Sequence, residues 1–386
     1  MNDEQDDQGV SRRRALQVGS AFGAASLAGC LGIFGDDEGT NIPSLAEFRG
    51  SGSLVDGRPA PGGTSIEELP DLSGELALYI GGGEGGIYYE FVEMLQEIYP
   101  DFEVYPTDNN SASLAQTIVE EAGSGASQAD VFWSIDASSL GFVAENDAYE
   151  PLSDETVEAV GNSQFVGDDN AWAGVAGRAR AVPYNTSQLS ESDIPNTVQD
   201  FPDTSALQDS MGWAPTYGAF KSFVTAMRLL RGDDETRNWL RSMKDAGTER
   251  YSNEYAVSEA VANGSQSAGF ANHYYAMRVK NKRPDAPIDL AFTEGDAGAL
   301  INVAGALKVQ GTQRGDLVDD FVRHLLSSEA QEFFATISFA YPMIDGVDPV
   351  GGLPSIGDLS PPEIDLAELA NIEPTLELMD DAGVSG

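Results

Sequence analysis

Cations, histidine and cysteine are all scarce in this chain of 386 residues. There are 21 Lys and Arg residues against 63 Asp and Glu, two His and one Cys. The single Cys30 excludes an internal disulfide and a cysteine-based metal site. No Gly-x-Ser-x-Gly or His-Glu-x-x-His motif is present, and only His273 reads as an accessible imidazole base. His324, in an apolar helical stretch, reads as structural. Beyond the N-terminus, no run is long and apolar enough to span a bilayer. The formal charge of −42 repels phosphate, so nucleic acid and anionic membrane faces are poor partners. Lysine is confined to positions 221, 244, 280, 282 and 308, which with the acid excess suggests a surface adapted to high salt. A hydrophobic content of 41% is enough for a sizeable core, and the length implies two to three domains.

What is present begins with an address. Ser11-Arg12-Arg13-Arg14-Ala15-Leu16 resembles the twin-arginine export signature, with Ala15 where an aromatic is usual. An apolar stretch over 18–27 then runs into Leu27-Ala28-Gly29-Cys30, which looks like a lipobox with Cys30 as lipid acceptor. Residues 1–30 are thus expected to be a signal. Residues 31–72, rich in Gly, Asp, Ser and Pro, are expected to be a solvated tether. The resulting location is the outer face of the cell membrane, reached by the twin-arginine route and held there by lipid.

From 74 onward, short β-type runs alternate with helical ones. Strands are predicted at 75–80, 102–105, 130–134, 172–176, 181–184, 211–214 and 268–271, with helices at 88–98, 113–121, 219–231, 234–246 and 257–263. Residues 299–309 read as apolar and β-branched, and 316–334 as helical. The alternation predicts an α/β fold with mainly parallel sheets. About 310 residues is too many for one sheet unit, so two lobes are expected. The boundaries are 73–180 with 304–345 for the first lobe and 181–303 with 346–386 for the second.

Open α/β sheets bind ligands beyond the carboxyl ends of their strands. Gly81-Gly82-Gly83-Glu84-Gly85-Gly86 sits in such a place but lacks the ending of a phosphate-binding loop, so a flexible turn and a site are equally good readings. Tyr274 and Tyr275 follow Asn272 and His273 at another strand end. Paired phenol oxygens suit a small, highly charged, hard cation such as Fe(III), although a bare Tyr-Tyr pair more often simply packs. Tyr88-Tyr89, on a predicted helix, reads as packing. Arg178 and Arg180 suit a carboxylate, carbonate or phosphate, with an ion pair as the competing reading. Trp213-Ala214-Pro215-Thr216-Tyr217-Gly218-Ala219 leads into a helix and offers an anion nest plus a phenol.

The segments LALYIGGGE (76–84), ADVFWSIDASSLG (129–141), GVAGRARAVPYN (174–185), GWAPTYGAF (212–220), NHYYAMR (272–278) and GDAGALINVAG (295–305) occur in an order that resembles the ferric-iron-binding subfamily of ABC-transporter extracellular substrate-binding lipoproteins. The resemblance implies a hinged, type II two-lobed binding protein, not an enzyme, acting as a monomer that feeds Fe(III) to a permease and its ATPase. It implies Tyr274 and Tyr275 as metal ligands, with Glu84 or Asp136 supplying a carboxylate where some members use a glutamate at the position of Ile135. A synergistic carbonate or phosphate is implied at Arg178, Asn272, Tyr217, Gly218 and Ala219, with Gly83 and His273 among the ligand contacts. Glu254 stands where the family has an amide, which would disfavour a nearby anion. Two alternatives stay open: a binder of another small anion or organic solute, and a surface hydrolase using His273 with Glu84 or Asp136.

Overall fold

The computed structural model describes residues 42–82 and 86–385. Lobe 1 contains α1 (Leu45–Phe48), β1 (Gly74–Gly81), α2 (Ile87–Ile98), β2 (Phe102–Asn109), α3 (Ser111–Ser124), β3 (Val131–Ser134), α4 (Ala137–Glu145), β4 (Tyr149–Glu150) and α5 (Asp154–Glu158). The long strand β5 (Ala173–Asn185) crosses into lobe 2. There follow β6 (Met211–Trp213), α6 (Gly218–Arg231), α7 (Asp233–Asp245), β7 (Glu249–Arg250), α8 (Glu254–Ala262), β8 (Ala268–Gly269), β9 (Ala271–Asn272), α9 (His273–Lys282) and β10 (Ile288–Ala291). Strand β11 (Ile301–Val309) returns to lobe 1, followed by α10 (Gly315–Leu325) and α11 (Ser328–Phe333), and α12 (Glu373–Asp381) closes the chain.

The strand order is β2-β1-β3-β11-β5-β8-β6-β7. Each lobe has a parallel centre, β2-β1-β3 in one and β7-β6-β8 in the other. The crossing strands β5 and β11 pair antiparallel with their neighbours, because the chain passes between lobes once in each direction. The sheet is therefore mixed rather than mainly parallel. A bulge between Ala304 and Gly305 breaks the β5–β11 register at the crossing, a place where a bend is readily accommodated.

Apolar residues drive each lobe together. In α2, Phe91, Val92, Leu95 and Ile98 fall on one helical face and are buried against the sheet. Each such side chain contributes about 1.5–3 kcal/mol by leaving water. Tyr88 stacks on Trp133 with ring centroids 4.3 Å apart, which is the packing role expected of it. Lobe 2 has its own aromatic cluster, in which Phe223 and Trp239 both pack on Phe270.

Two stretches depart from expectation. Residues 42–72, read as part of a solvated tether, are packed: Phe48, Ile66, Leu69 and Leu72 are buried. Arg49 and Arg58 both pair with the buried Glu332. The apolar residues are widely spaced in a Gly- and Pro-rich context, so composition hid them. The C-terminal stretch, assigned wholly to lobe 2, serves both lobes. The turn over Leu366–Ala370 packs on α4, and an added Cβ on Gly141 would lie 2.2 Å from Ala367 Cβ. By contrast α12 docks on α6, with Thr375 Oγ1 2.8 Å from Thr225 Oγ1 and accepting from Arg228 Nη1 at 3.1 Å.

Candidate ligand-binding cleft

A cleft of 1040 Å³ opens between the two lobes. Ile135, Asp136, Ser138 and Ser139 line it from lobe 1, Tyr217 with Gly218, Ala219 and Ser222 from the approach to α6 and its first turns, and Arg178, Arg180, Asn272 and Tyr274 from the crossing strand and the start of α9. Its walls are strand ends that turn directly into helices, the arrangement expected of an α/β ligand site. On the lobe 1 rim, Ser111 at the start of α3 approaches Gly81 at the end of β1. A Cβ on Gly81 would lie 2.0 Å from Ser111 Oγ, so glycine is needed there. The same hydroxyl accepts from the Ile135 amide at 3.1 Å, tying the three strand-end segments together.

Tyr274 and Tyr275 occupy the first turn of α9, both buried, with ring centroids 4.3 Å apart. Tyr217, the residue before α6, brings its hydroxyl to that of Tyr275. Asn272 Nδ2 lies 3.5 Å from the Tyr274 hydroxyl. Three phenol oxygens thus belong to one hydrogen-bonded group at the ends of β6 and β9. Burial first, then the neighbouring Tyr274 and the hydrogen bond with Tyr217, push the Tyr275 phenol well above its ordinary value. An uncharged phenol cluster of this kind stays protonated until a strong Lewis acid displaces the protons. Tyr217 was expected as part of an anion nest; its place among the phenols was signalled only by its strand-end, helix-start setting, the same as that of Tyr274 and Tyr275.

The two arginines lie within a strand and not in a loop as the sequence suggested. Residues 177–180 continue β5, because Arg178 pairs in register with Asn302 of β11 and Arg180 with Asn272 of β9. Arg178 donates to the Ile135 carbonyl and lines the cleft. Arg180 is buried and forms an ion pair with the fully buried Glu254. The other Glu254 oxygen accepts from the Asn272 amide at 2.8 Å. This carboxylate is therefore consumed behind the wall and does not repel an anion in the cleft. Nη2 of Arg180 has no hydrogen-bond partner among the described residues. Neither α6 nor α9 has a side-chain N-cap bond, and Gly218 and Ala219 in the first turn of α6 border the cleft, where backbone amides suit an anion.

His273 is fully buried and held from both sides. Its Nε2 lies 2.7 Å from the Phe339 carbonyl, and its Nδ1 3.2 Å from the Ala179 amide. Burial pushes its pKa down to about 4, so the ring is neutral at physiological pH. With both nitrogens engaged inside the protein, it is neither a ligand contact nor a hydrolytic base. His324 is structural as expected, between Tyr99 and the Asp320 carbonyl. Asp136 lines the cleft but uses Oδ1 to cap α4, accepting from Ser138 Oγ and the Ser139 amide. Gly83, Glu84, Cys30, the signal over 1–30 and the tether over 31–41 lie outside the described residues. No described helix is long and apolar enough to cross a membrane.

Fold and cleft together define a two-lobed solute-binding protein. The family model described as bacterial extracellular solute-binding protein matches residues 126–354, and the chain belongs to that family. It is similar to the major ferric iron-binding protein of Neisseria meningitidis serogroup A, 31% identical over 270 residues, which cover 69% of this chain and 81% of that protein. It is also similar to the Fe(3+)-binding periplasmic protein of Serratia marcescens, 27% identical over 284 residues, 72% of this chain and 81% of that one. The structure of iron-bound HitA from Pseudomonas aeruginosa matches with a TM-score of 0.67 at 28% identity, over 80% of this chain and 99% of that chain. Solute binding, not catalysis, is what this family does.

Proposed function

We propose that the protein captures Fe(III) between its lobes and delivers it to the permease and ATPase of an ABC importer. The observation that carries this reading is the convergence of Tyr217, Tyr274 and Tyr275 at one point of the cleft wall. Phenolate oxygens are hard, anionic donors suited to a small trivalent cation, and their burial disfavours ionisation without one. Tyr274 and Tyr275 are the principal ligands and Tyr217 adds a third phenol. Glu84 or Asp136 contributes a carboxylate as the lobes close. A synergistic carbonate or phosphate is held by Arg178, Arg180 Nη2, Asn272 and the amides of Gly218 and Ala219, and the 1040 Å³ cleft leaves room for it. The export signal and lipobox support anchoring by Cys30 to the outer face of the membrane, and the acid-rich composition supports a high-salt setting.

Titration with ferric citrate tests this. Iron held by phenolates gives a visible charge-transfer band that Tyr274→Phe combined with Tyr275→Phe weakens severely, leaving at most the contribution of Tyr217. A colourless wild-type protein, or a double variant that retains iron equally well, overturns the ferric reading.

A further inference from the structure

One arginine near the phenols has no part in the site described so far. Arg278 lies on α9 three residues after Tyr275 and four after Tyr274, the spacing at which helical side chains meet, and helical side chains lean back toward the N-terminus. Its guanidinium carbon is 5.0 Å from the Tyr274 ring centroid and 5.6 Å from that of Tyr275. We propose that Arg278 is a positioning residue for ligand capture: its planar cation stacks on both rings, fixes their orientation and offsets the negative charge they carry as ligands. This inference rests on the ferric reading above.

The setting of the other tyrosines supports it. In this acid-rich chain Tyr79 is pushed up by burial and Glu121, Tyr89 by burial and Asp108, and Tyr105 by its hydrogen bond with Glu103. Tyr275 differs in that the charged group on its ring face is a cation. A cation is attracted more strongly to an anionic phenolate ring than to a neutral phenol, so its contribution is greater in the loaded state than in the empty one. Arginine has the shape for this task, because its flat guanidinium covers two faces where a lysine ammonium covers one.

The test compares wild type, Arg278→Gln and Arg278→Lys, each loaded with ferric citrate and checked for folding by far-ultraviolet circular dichroism. Removing the cation raises the energy of the phenolate donor orbitals, so the Arg278→Gln band moves to longer wavelength. Its loss of iron to excess citrate becomes about tenfold easier. Arg278→Lys gives a smaller shift in the same direction, and carries the test if the glutamine variant does not fold. A folded variant with an unshifted band and unchanged citrate competition overturns the role of Arg278 while leaving the ferric reading intact. A wild-type protein with no band overturns both.

Discussion

At the scale of single residues, the cleft depends on charges buried just behind it. Arg180 and Glu254 are both withdrawn from water, and each compensates the other. Glu254→Gln leaves a buried guanidinium with no counter-charge, and chemical denaturation is expected to show a loss of about 3–5 kcal/mol. Replacing both partners, Arg180→Met with Glu254→Leu, recovers most of that loss, because the cost lies in the orphaned charge. A single-variant loss below about 1 kcal/mol would mean that the pair behaves as a surface ion pair and that this account is wrong. Tyr217 supplies a second prediction. If its phenol joins those of Tyr274 and Tyr275 on the metal, Tyr217→Phe keeps the fold and the visible band but releases iron to citrate about tenfold more readily. A variant indistinguishable from wild type in that competition returns Tyr217 to the helix-start anion nest.

At the scale of elements, the C-terminal stretch links the lobes by packing rather than by strand pairing. Gly141 of α4 lies directly under Ala367, with no space for a methyl group. Alanine is ordinarily the better helix former by about 1 kcal/mol, but the overlap opposes that preference. Gly141→Ala is expected to lift the turn over 366–370, at a net cost of about 1–3 kcal/mol, and to raise amide exchange there. Unchanged exchange across 366–371 would show that the contact is dispensable. The same scale shows which features were readable from sequence. Strands followed by glycine or a capping residue and then an amphipathic helix were legible because both periodicities and their punctuation are local. Strand β5 looked broken at Gly177-Arg178-Ala179-Arg180, since a glycine and two charges resemble a loop. Its continuity comes from Asn302 and Asn272, distant in sequence, which lie beside those arginines. Tyr274 and Tyr275 were legible as a pair, whereas the third phenol at Tyr217 becomes a neighbour only when β6 and β9 end side by side. Phe48 and Ile66 were missed because no period connects isolated apolar residues in a Gly- and Pro-rich stretch.

At the scale of the whole molecule, a charge of −42 sets how stability responds to salt and pH. Self-repulsion weakens as the screening length falls from about 10 Å at 0.1 M salt to about 3 Å at 1 M, so the melting temperature is expected to climb over that range. Acidification has two opposing effects. Protonating surface carboxylates relieves repulsion and stabilises the fold at low salt. Against this, burial lowers the pKa of His324 from 6.5 to about 4, and that of His273 similarly. A depressed folded-state pKa contributes stability that is present above pH 6.5 and lost as pH falls through about 4. Each histidine is therefore worth about 3 kcal/mol over that window. In molar potassium chloride, where repulsion is screened, unfolding free energy should fall between pH 6.5 and pH 4, and His324→Gln should remove about half of the histidine contribution. At low salt the relief of repulsion offsets this fall and the profile flattens. Identical pH profiles for His324→Gln and wild type in molar salt would mean that the His324 imidazole does not contribute to the acid response.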